Sequence, residues 1–73
     1  MPPITETQID DMFTYHDDPA KIPQYQNVRD AAKEFAKILV KNTPVSPDQS
    51  AAVRLLRQCV MTANAAIALD GRY

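Results

Sequence analysis

The chain is poor in the residues that often stabilise or shape small domains. Its 73 residues include one cysteine, one glycine, one histidine and no tryptophan. Cys59 alone cannot form an internal disulfide, and together with His16 it supplies too few soft ligands for a structural zinc site. A chain of this length buries only about 60% of its unfolded surface. Self-association is therefore the expected source of the missing burial.

The chain also lacks a strong charge of either sign and a long apolar run. Its net charge of −1 argues against a general binder of DNA or RNA, because such proteins carry a basic stripe. No run of about 18 apolar residues could span a membrane, and residues 1–7 do not resemble a signal peptide. We expect one intracellular, soluble domain over residues 1–73, with a loose tail at residues 1–4 and no metal or cofactor.

The first part of the chain contains a short helix followed by a loop. Thr5 is predicted to cap a helix that runs to about Phe13. This helix is too short to be stable alone, so it must dock on another element. Residues 14–23 are predicted to form a loop.

Two longer helices are predicted from apolar residues at helical spacing. The first starts near Pro23 or Gln24, because proline suits the first helical turn, and it ends near Lys41. Pro44 prevents its continuation. Its apolar stripe steps by three and four residues and comprises Tyr25, Val28, Ala32, Phe35 and Leu39.

The last helix has the clearest start and end signals. Ser46 is the predicted N-cap, Pro47 the first helical residue and Gln49 the second half of a capping box. Gly71 is the predicted left-handed stop. One apolar stripe, which can pack on the preceding helix as an antiparallel hairpin, comprises Val53, Leu56, Val60, Ala63 and Ile67.

A second stripe on this last helix has no partner within the hairpin. It comprises Leu55, Cys59, Thr62 and Ala66. Because a helix that is apolar nearly all round must be buried, this stripe indicates contacts between copies of the chain. Ligand sites are then expected between subunits.

The cluster Tyr15-His16-Asp17-Asp18 admits two interpretations. His16 with the two carboxylates could form a metal site or a general base, or the segment could be a solvated loop in which an aspartate makes a turn. The Tyr15 ring could stack on a nucleobase or dock against Phe13 or the hairpin.

The arginines of the two long helices also admit two interpretations. Arg29 could grip a phosphate or a guanine edge, or form a surface ion pair with Asp30 or Glu34. Arg54 and Arg57, one turn apart, could pair with Asp48 on a solvated face. If several copies meet there, the same arginines could hold a polyphosphate ligand.

Three segments, in this order, carry a family resemblance. They are Phe13-Thr14-Tyr15-His16, the segment from Tyr25 to Ala36 with Val28-Arg29 and Ala31-Ala32-Lys33-Glu34-Phe35-Ala36, and the segment from Arg54 to Ala68 with Val60-Met61-Thr62-Ala63-Asn64-Ala65-Ala66-Ile67-Ala68. These segments resemble the phage anti-CBASS cyclic-oligonucleotide sponge family over about residues 12 to 71. The resemblance implies an all-α fold, an antiparallel two-helix hairpin with a short N-terminal helix, assembled as a compact hexamer.

The resemblance also implies binding residues. Tyr15 and Arg29 match the family's cyclic-dinucleotide site, with arginine at a position where the family often has lysine. His16 and Lys33, in the same quoted segments, complete this predicted site. The predicted cyclic-trinucleotide site of the last helix comprises Arg54, Arg57 and Thr62.

The function implied is a non-enzymatic sponge that acts in the host bacterial cytoplasm. It would sequester cyclic di- and trinucleotides without cleaving them, so that CBASS immune signalling is blocked. One alternative is an oligomeric helical adaptor that binds a protein partner. The other is a small phosphodiesterase that uses His16, Asp17 and Asp18.

Overall fold

The computed structural model describes residues 3–14 and 17–72, and all regular elements in those ranges are helical. Helix α1 spans Glu6–Met12, α2 spans Ile22–Asn42 and α3 spans Pro47–Ala68, with a 3₁₀ turn at Pro19–Lys21. Helices α2 and α3 pack on each other as an antiparallel hairpin. The predicted all-α class and helical hairpin are confirmed. None of the described helices combines the length and apolar character needed to cross a membrane.

Helix α1 starts where the sequence predicts it. The Thr5 hydroxyl accepts a hydrogen bond from the backbone N–H of Gln8 at 3.2 Å, and the Gln8 side chain accepts one from the Thr5 N–H at 2.9 Å. This reciprocal pair satisfies two donors that a helix start otherwise leaves free. Before it, Ile4 is non-helical and 67% exposed, while Met1 and Pro2 lie outside the described residues.

Part of the predicted loop at 14–23 is helical, as a 3₁₀ turn at Pro19–Lys21 and the first residues of α2. Asp18 caps the 3₁₀ turn, because its Oδ1 accepts a hydrogen bond from the Ala20 N–H at 3.0 Å. Aspartate readily forms such a turn with the backbone two residues ahead. Helix α2 then begins at Ile22, slightly earlier than predicted, with Pro23 in its first turn.

Side chains close the connection between α2 and α3. Ser46 Oγ accepts from the Gln49 N–H at 3.1 Å, which confirms Ser46 as the N-cap of α3. The second half of the predicted capping box is wrong, because the Gln49 amide does not return to Ser46. Its Nε2 donates instead to the carbonyl oxygens of Val40 at 3.2 Å and Thr43 at 3.0 Å. Carbonyls at a helix end lack intrahelical donors, and Gln49 supplies one across the turn.

Helix α3 ends in two consecutive left-handed residues. Gly71 has the predicted positive φ, at 72°, and Asp70 precedes it at 54°. The Gly71 N–H closes the turn on the Ala66 carbonyl at 2.9 Å. Aspartate adopts this conformation more readily than most residues. Lys21 also holds the Asp70 carboxylate at 2.8 Å.

Ion pairs attach the N-terminal elements to this C-terminal segment. Lys21 Nζ, besides its contact with Asp70, donates to the Ala68 carbonyl at 3.4 Å. Arg72 Nε lies 3.3 Å from Asp11 Oδ2 of α1. The segment after α3 therefore contacts both the 3₁₀ turn and α1, in the latter case through an ion pair whose side chains are partly exposed.

The hairpin contact follows the predicted stripe on α3 but not entirely on α2. Phe35 is 52% exposed, and Ala36 takes its place between the helices. Positions 35 and 36 lie on either side of the line that joins Ala32 and Leu39 along the helix, and the packing of the two helices brings the second of them into the contact. The half-buried α3 residues include the predicted stripe, and those of α2 are Tyr25, Val28, Ala32, Ala36 and Leu39.

The molecule is a single layer of helices in which almost none of the described side chains is buried. It measures 46 × 30 × 17 Å, and one helix with its side chains is already about 10–12 Å wide. Among the described residues only Leu69 is buried, at 9% exposure. Large apolar side chains, including Leu55 at 64% and Met61 at 66%, remain exposed on both sides of the hairpin.

Loss of the α3 cap should destabilise the hairpin. We expect Ser46→Ala to lower the free energy of unfolding by about 1 kcal/mol, the usual cost of removing a serine N-cap. The control is Ser50→Ala, which makes the same change one turn into α3 and should leave stability unchanged or raised. Urea denaturation at one fixed protein concentration measures both. Equal stabilities for the two variants would contradict the capping role of Ser46.

Candidate functional site

A groove runs between α2 and α3 on one side of the hairpin; we call it the central groove. Its volume is about 360 Å³, within the range of pockets that bind small molecules. Alanines on α2 create this space, since larger side chains at those positions would fill it. Its floor is apolar and consists of Ala32, Ala36, Val53, Leu56, Val60 and Met61.

Three cations stand at the rim of the central groove. Arg29 and Lys33 lie one turn apart on α2, and Arg57 comes from α3. No ion pair between described residues involves any of the three. The pairings of Arg29 with Asp30 or Glu34, and of Arg57 with Asp48, are thus not formed. An apolar floor with unneutralised cations around it is suited to a flat, anionic ligand.

Two further grooves adjoin the central one on the same side. The second, of about 290 Å³, is lined by Arg54 and Arg57 together with the polar side chains of Gln49 and Ser50. Arg57 therefore borders both the central and the second groove. The third, of about 440 Å³, has Lys37 and Lys41 at its edge.

All the basic residues of α2 and α3 line these three grooves. Sequence reasoning did not single out Lys37 and Lys41, although a signal was present. Arg29, Lys33, Lys37 and Lys41 recur at every fourth position, and residues four apart lie on one face of a helix. The position of Arg57 at the same rim as Arg29 could not be predicted from this spacing, because it depends on how the two helices pack.

The predicted site residues are only partly brought together. Arg29, Lys33 and Arg57 share the central groove, and Arg54 lies in the second. Thr62 is not among the residues that line the three grooves, and its hydroxyl donates to the Gln58 carbonyl at 2.9 Å. Tyr15 and His16 lie outside the described residues, so their roles stay predictions.

The acidic residues beside His16 are accounted for in part. Asp18 is engaged in capping the 3₁₀ turn, which matches the interpretation of this segment as a turn. Asp17 is exposed. Within residues 3–14 and 17–72, no three His, Cys, Asp or Glu side chains lie close enough together to hold a metal ion.

Comparison with known proteins identifies one relationship. A family model described as Acb2/Tad1, hairpin domain, matches residues 5–68. This range extends from the cap of α1 to the last residue of α3, so it includes all the groove residues. No curated protein and no solved structure matches the chain.

Proposed function

The chain belongs to the Acb2/Tad1 hairpin family, the family of the anti-CBASS sponges, and from this we propose that it is a phage protein that sequesters cyclic oligonucleotides. It binds cyclic dinucleotides and cyclic trinucleotides without cleaving them and so blocks CBASS signalling in the host bacterial cytoplasm. The observation that carries this proposal is the alignment of six basic residues along the three grooves on one side of the hairpin.

The chemistry of the central groove supports a cyclic dinucleotide as its ligand. Such a ligand has two phosphates and two flat bases. The planar guanidinium of Arg29 can hold a phosphate through two hydrogen bonds, while Lys33 provides a more compact charge. The apolar floor can cover a base face. In this proposal the Tyr15 ring stacks on a base, and His16 lies beside it.

The second groove supports a separate contact with a cyclic trinucleotide. Arg54 and Arg57 line it, and both belong to the set that the family resemblance implies for that ligand. Thr62 would reach the ligand from another subunit, because in its own protomer it lies away from this groove. Arg57 borders both grooves and can therefore contribute to either ligand.

Assembly completes the proposal. A sponge needs nanomolar affinity, about −12 kcal/mol. Ligands of this size gain only about −0.3 kcal/mol per heavy atom, so most of the ligand surface has to be covered. An open groove on a single layer of helices cannot do this, but a second subunit can close it. We therefore propose that the chain functions as a compact hexamer with ligand sites between subunits.

Substitution of the arginines should separate the two ligand classes. We expect Arg29→Ala to weaken cyclic-dinucleotide binding by about tenfold or more, the usual effect of losing a hydrogen bond to a charged group, and to spare trinucleotide binding. Arg54→Ala, the matched control in the second groove, should show the opposite pattern, and Arg57→Ala should weaken both. Calorimetric titration measures these affinities. Equal losses for Arg29→Ala and Arg54→Ala would contradict the division of the grooves.

Tyr15 provides an independent test of the dinucleotide site. We expect Tyr15→Ala to weaken dinucleotide binding by about 5- to 150-fold, because base stacking on an aromatic ring contributes about 1–3 kcal/mol per base, while the assembled mass stays unchanged. Tyr15→Phe keeps the ring and should retain most of the affinity. Unchanged affinity of Tyr15→Ala would remove Tyr15 from the site.

Sequestration also differs from cleavage in what happens to the ligand. We expect a cyclic dinucleotide incubated with the protein to be recovered intact after the protein is denatured by heat, as judged by chromatography and mass spectrometry. A linear product would instead support the phosphodiesterase alternative. Failure of every cyclic di- and trinucleotide to raise the melting temperature, as a specific ligand must, would favour the adaptor alternative.

A further inference from the structure

The three grooves form one continuous surface on one side of the hairpin, which we call the basic trough. The central and third grooves share Ala36, the second and third share Val40, and the central and second share Arg57. No carboxylate of the described residues lines the trough, so its charge is of one sign. Its exposed cations are Arg29, Lys33, Lys37 and Lys41 of α2 and Arg54 and Arg57 of α3.

The net charge of the whole chain conceals this basic surface. A net charge of −1 argues against a polyanion as ligand only when acidic and basic residues are mixed over the surface. Residues 1–18 contain five acidic residues and no lysine or arginine, whereas α2 and α3 together contain six basic and three acidic residues. The charges are thus separated along the chain, and a local basic stripe can attract a polyanion whatever the net charge.

Four of the six cations form a regular row along α2. They recur at every fourth position from Arg29 to Lys41, and four residues correspond to a rise of about 6 Å along a helix. The row therefore extends for about 18 Å and runs obliquely across the helix, as rows of residues four apart do. Its regular spacing suits a ligand with phosphates at regular intervals, such as the backbone of a single nucleic-acid strand.

Lys37 and Lys41 have no role in the proposed binding of cyclic ligands. They lie in the third groove, beyond the residues assigned to cyclic di- and trinucleotides. Neither forms an ion pair with a residue in the ranges 3–14 and 17–72, although Asp30 and Glu34 belong to the same helix. This end of the trough therefore keeps its charge for a ligand longer than a compact cyclic nucleotide.

The apolar part of the trough provides a place for bases. The floor of the central groove is apolar, and the planar guanidinium of Arg29 at its rim can stack on a flat ring. Proteins that bind single strands without sequence preference combine a positively charged groove for the backbone with contacts to the faces of the bases. The bases of a duplex are stacked inside it, so a duplex can use only the cations.

We propose that the basic trough binds a linear single-stranded oligonucleotide, DNA or RNA, through its phosphates, with the backbone following the row from Arg29 to Lys41. This binding activity is additional to the proposed sequestration of cyclic nucleotides and does not depend on it. Because the contacts are to phosphates, binding is independent of base sequence and falls steeply with salt concentration.

Fluorescence anisotropy of labelled oligonucleotides tests this activity directly. The probes are oligothymidylate and oligouridylate of about twelve nucleotides, a length within the usual range of single-strand sites. At about 50 mM salt we expect both to bind, with a logarithmic salt dependence of about −0.7 per contacted phosphate, or about −2 to −4 in total. Absence of binding, a slope near zero, or binding of only one probe would overturn the proposal.

A duplex of the same length tests the contribution of the apolar floor. We expect it to displace a labelled single strand less well than an unlabelled single strand does, because it offers no free base faces. Better displacement by the duplex would contradict a preference for single strands.

The two lysines of the third groove allow a sharper test. Lys37→Gln/Lys41→Gln should weaken oligonucleotide binding at least tenfold at low salt and reduce the salt slope by about 1.4, which corresponds to two lost phosphate contacts. Lys37→Arg/Lys41→Arg, the matched control, keeps both charges and should bind like the wild type. Equal binding by the two double variants would overturn the proposal.

A gain of affinity cannot result from misfolding and provides an independent test. Glu34→Gln removes the acidic residue one helical turn before Lys37. It should tighten oligonucleotide binding about twofold or more, the size expected for exposed charges one turn apart. Unchanged or weaker binding would contradict the path of the strand along α2.

Cyclic dinucleotide, titrated in parallel, separates this activity from the proposed function. Its affinity should be unchanged in Lys37→Gln/Lys41→Gln, and a parallel loss would place both lysines in the dinucleotide site and overturn the separate activity. Wild-type protein that binds the oligonucleotide but no cyclic nucleotide would support the trough and contradict the proposed function. Binding of cyclic nucleotides without the oligonucleotide would do the opposite.

Discussion

The structure is governed by the fact that the hairpin is one layer of helices thick. Two helices joined by a short connection can cover only the stripe that each presents to the other. Everything else on α2 and α3 stays at the surface of the protomer, and in the described part of the chain only Leu69 is buried. The arrangement therefore leaves two broad sides open, and the composition of each side determines what it can contact.

The two open sides differ in chemistry because residues two apart in sequence lie on nearly opposite sides of a helix. In both α2 and α3, basic residues lie on one side and apolar residues on the other. On one side, basic residues surround grooves whose floors are apolar, and small side chains such as Ala32 and Ala36 leave room for a ligand. On the other side, neutral apolar residues form a surface suited to packing. A protein of 73 residues thus presents two surfaces of different composition on one pair of helices.

Local features of the fold could be predicted from the sequence with good accuracy. Thr5, Ser46 and Gly71 act where expected because caps and left-handed turns depend on contacts within a few residues. The side-chain amide of Gln49, which was predicted to complete a capping box with Ser46, shows the limit of such local rules. Its acceptors include the Val40 carbonyl, nine residues earlier and across the turn, and a capping rule that considers only the helix start does not include this competitor.

The sequence by itself determined the three helices, their ends, the hairpin and the two apolar stripes of α3, because periodicity and capping are properties of short segments. Only the tertiary structure decided how far each helix rotates about its own axis. That rotation placed Ala36 rather than Phe35 between the helices, and it brought Arg57 of α3 to the same rim as Arg29 and Lys33. The physical reason is that the rotation depends on how side chains of both helices interlock, which neither stripe specifies alone.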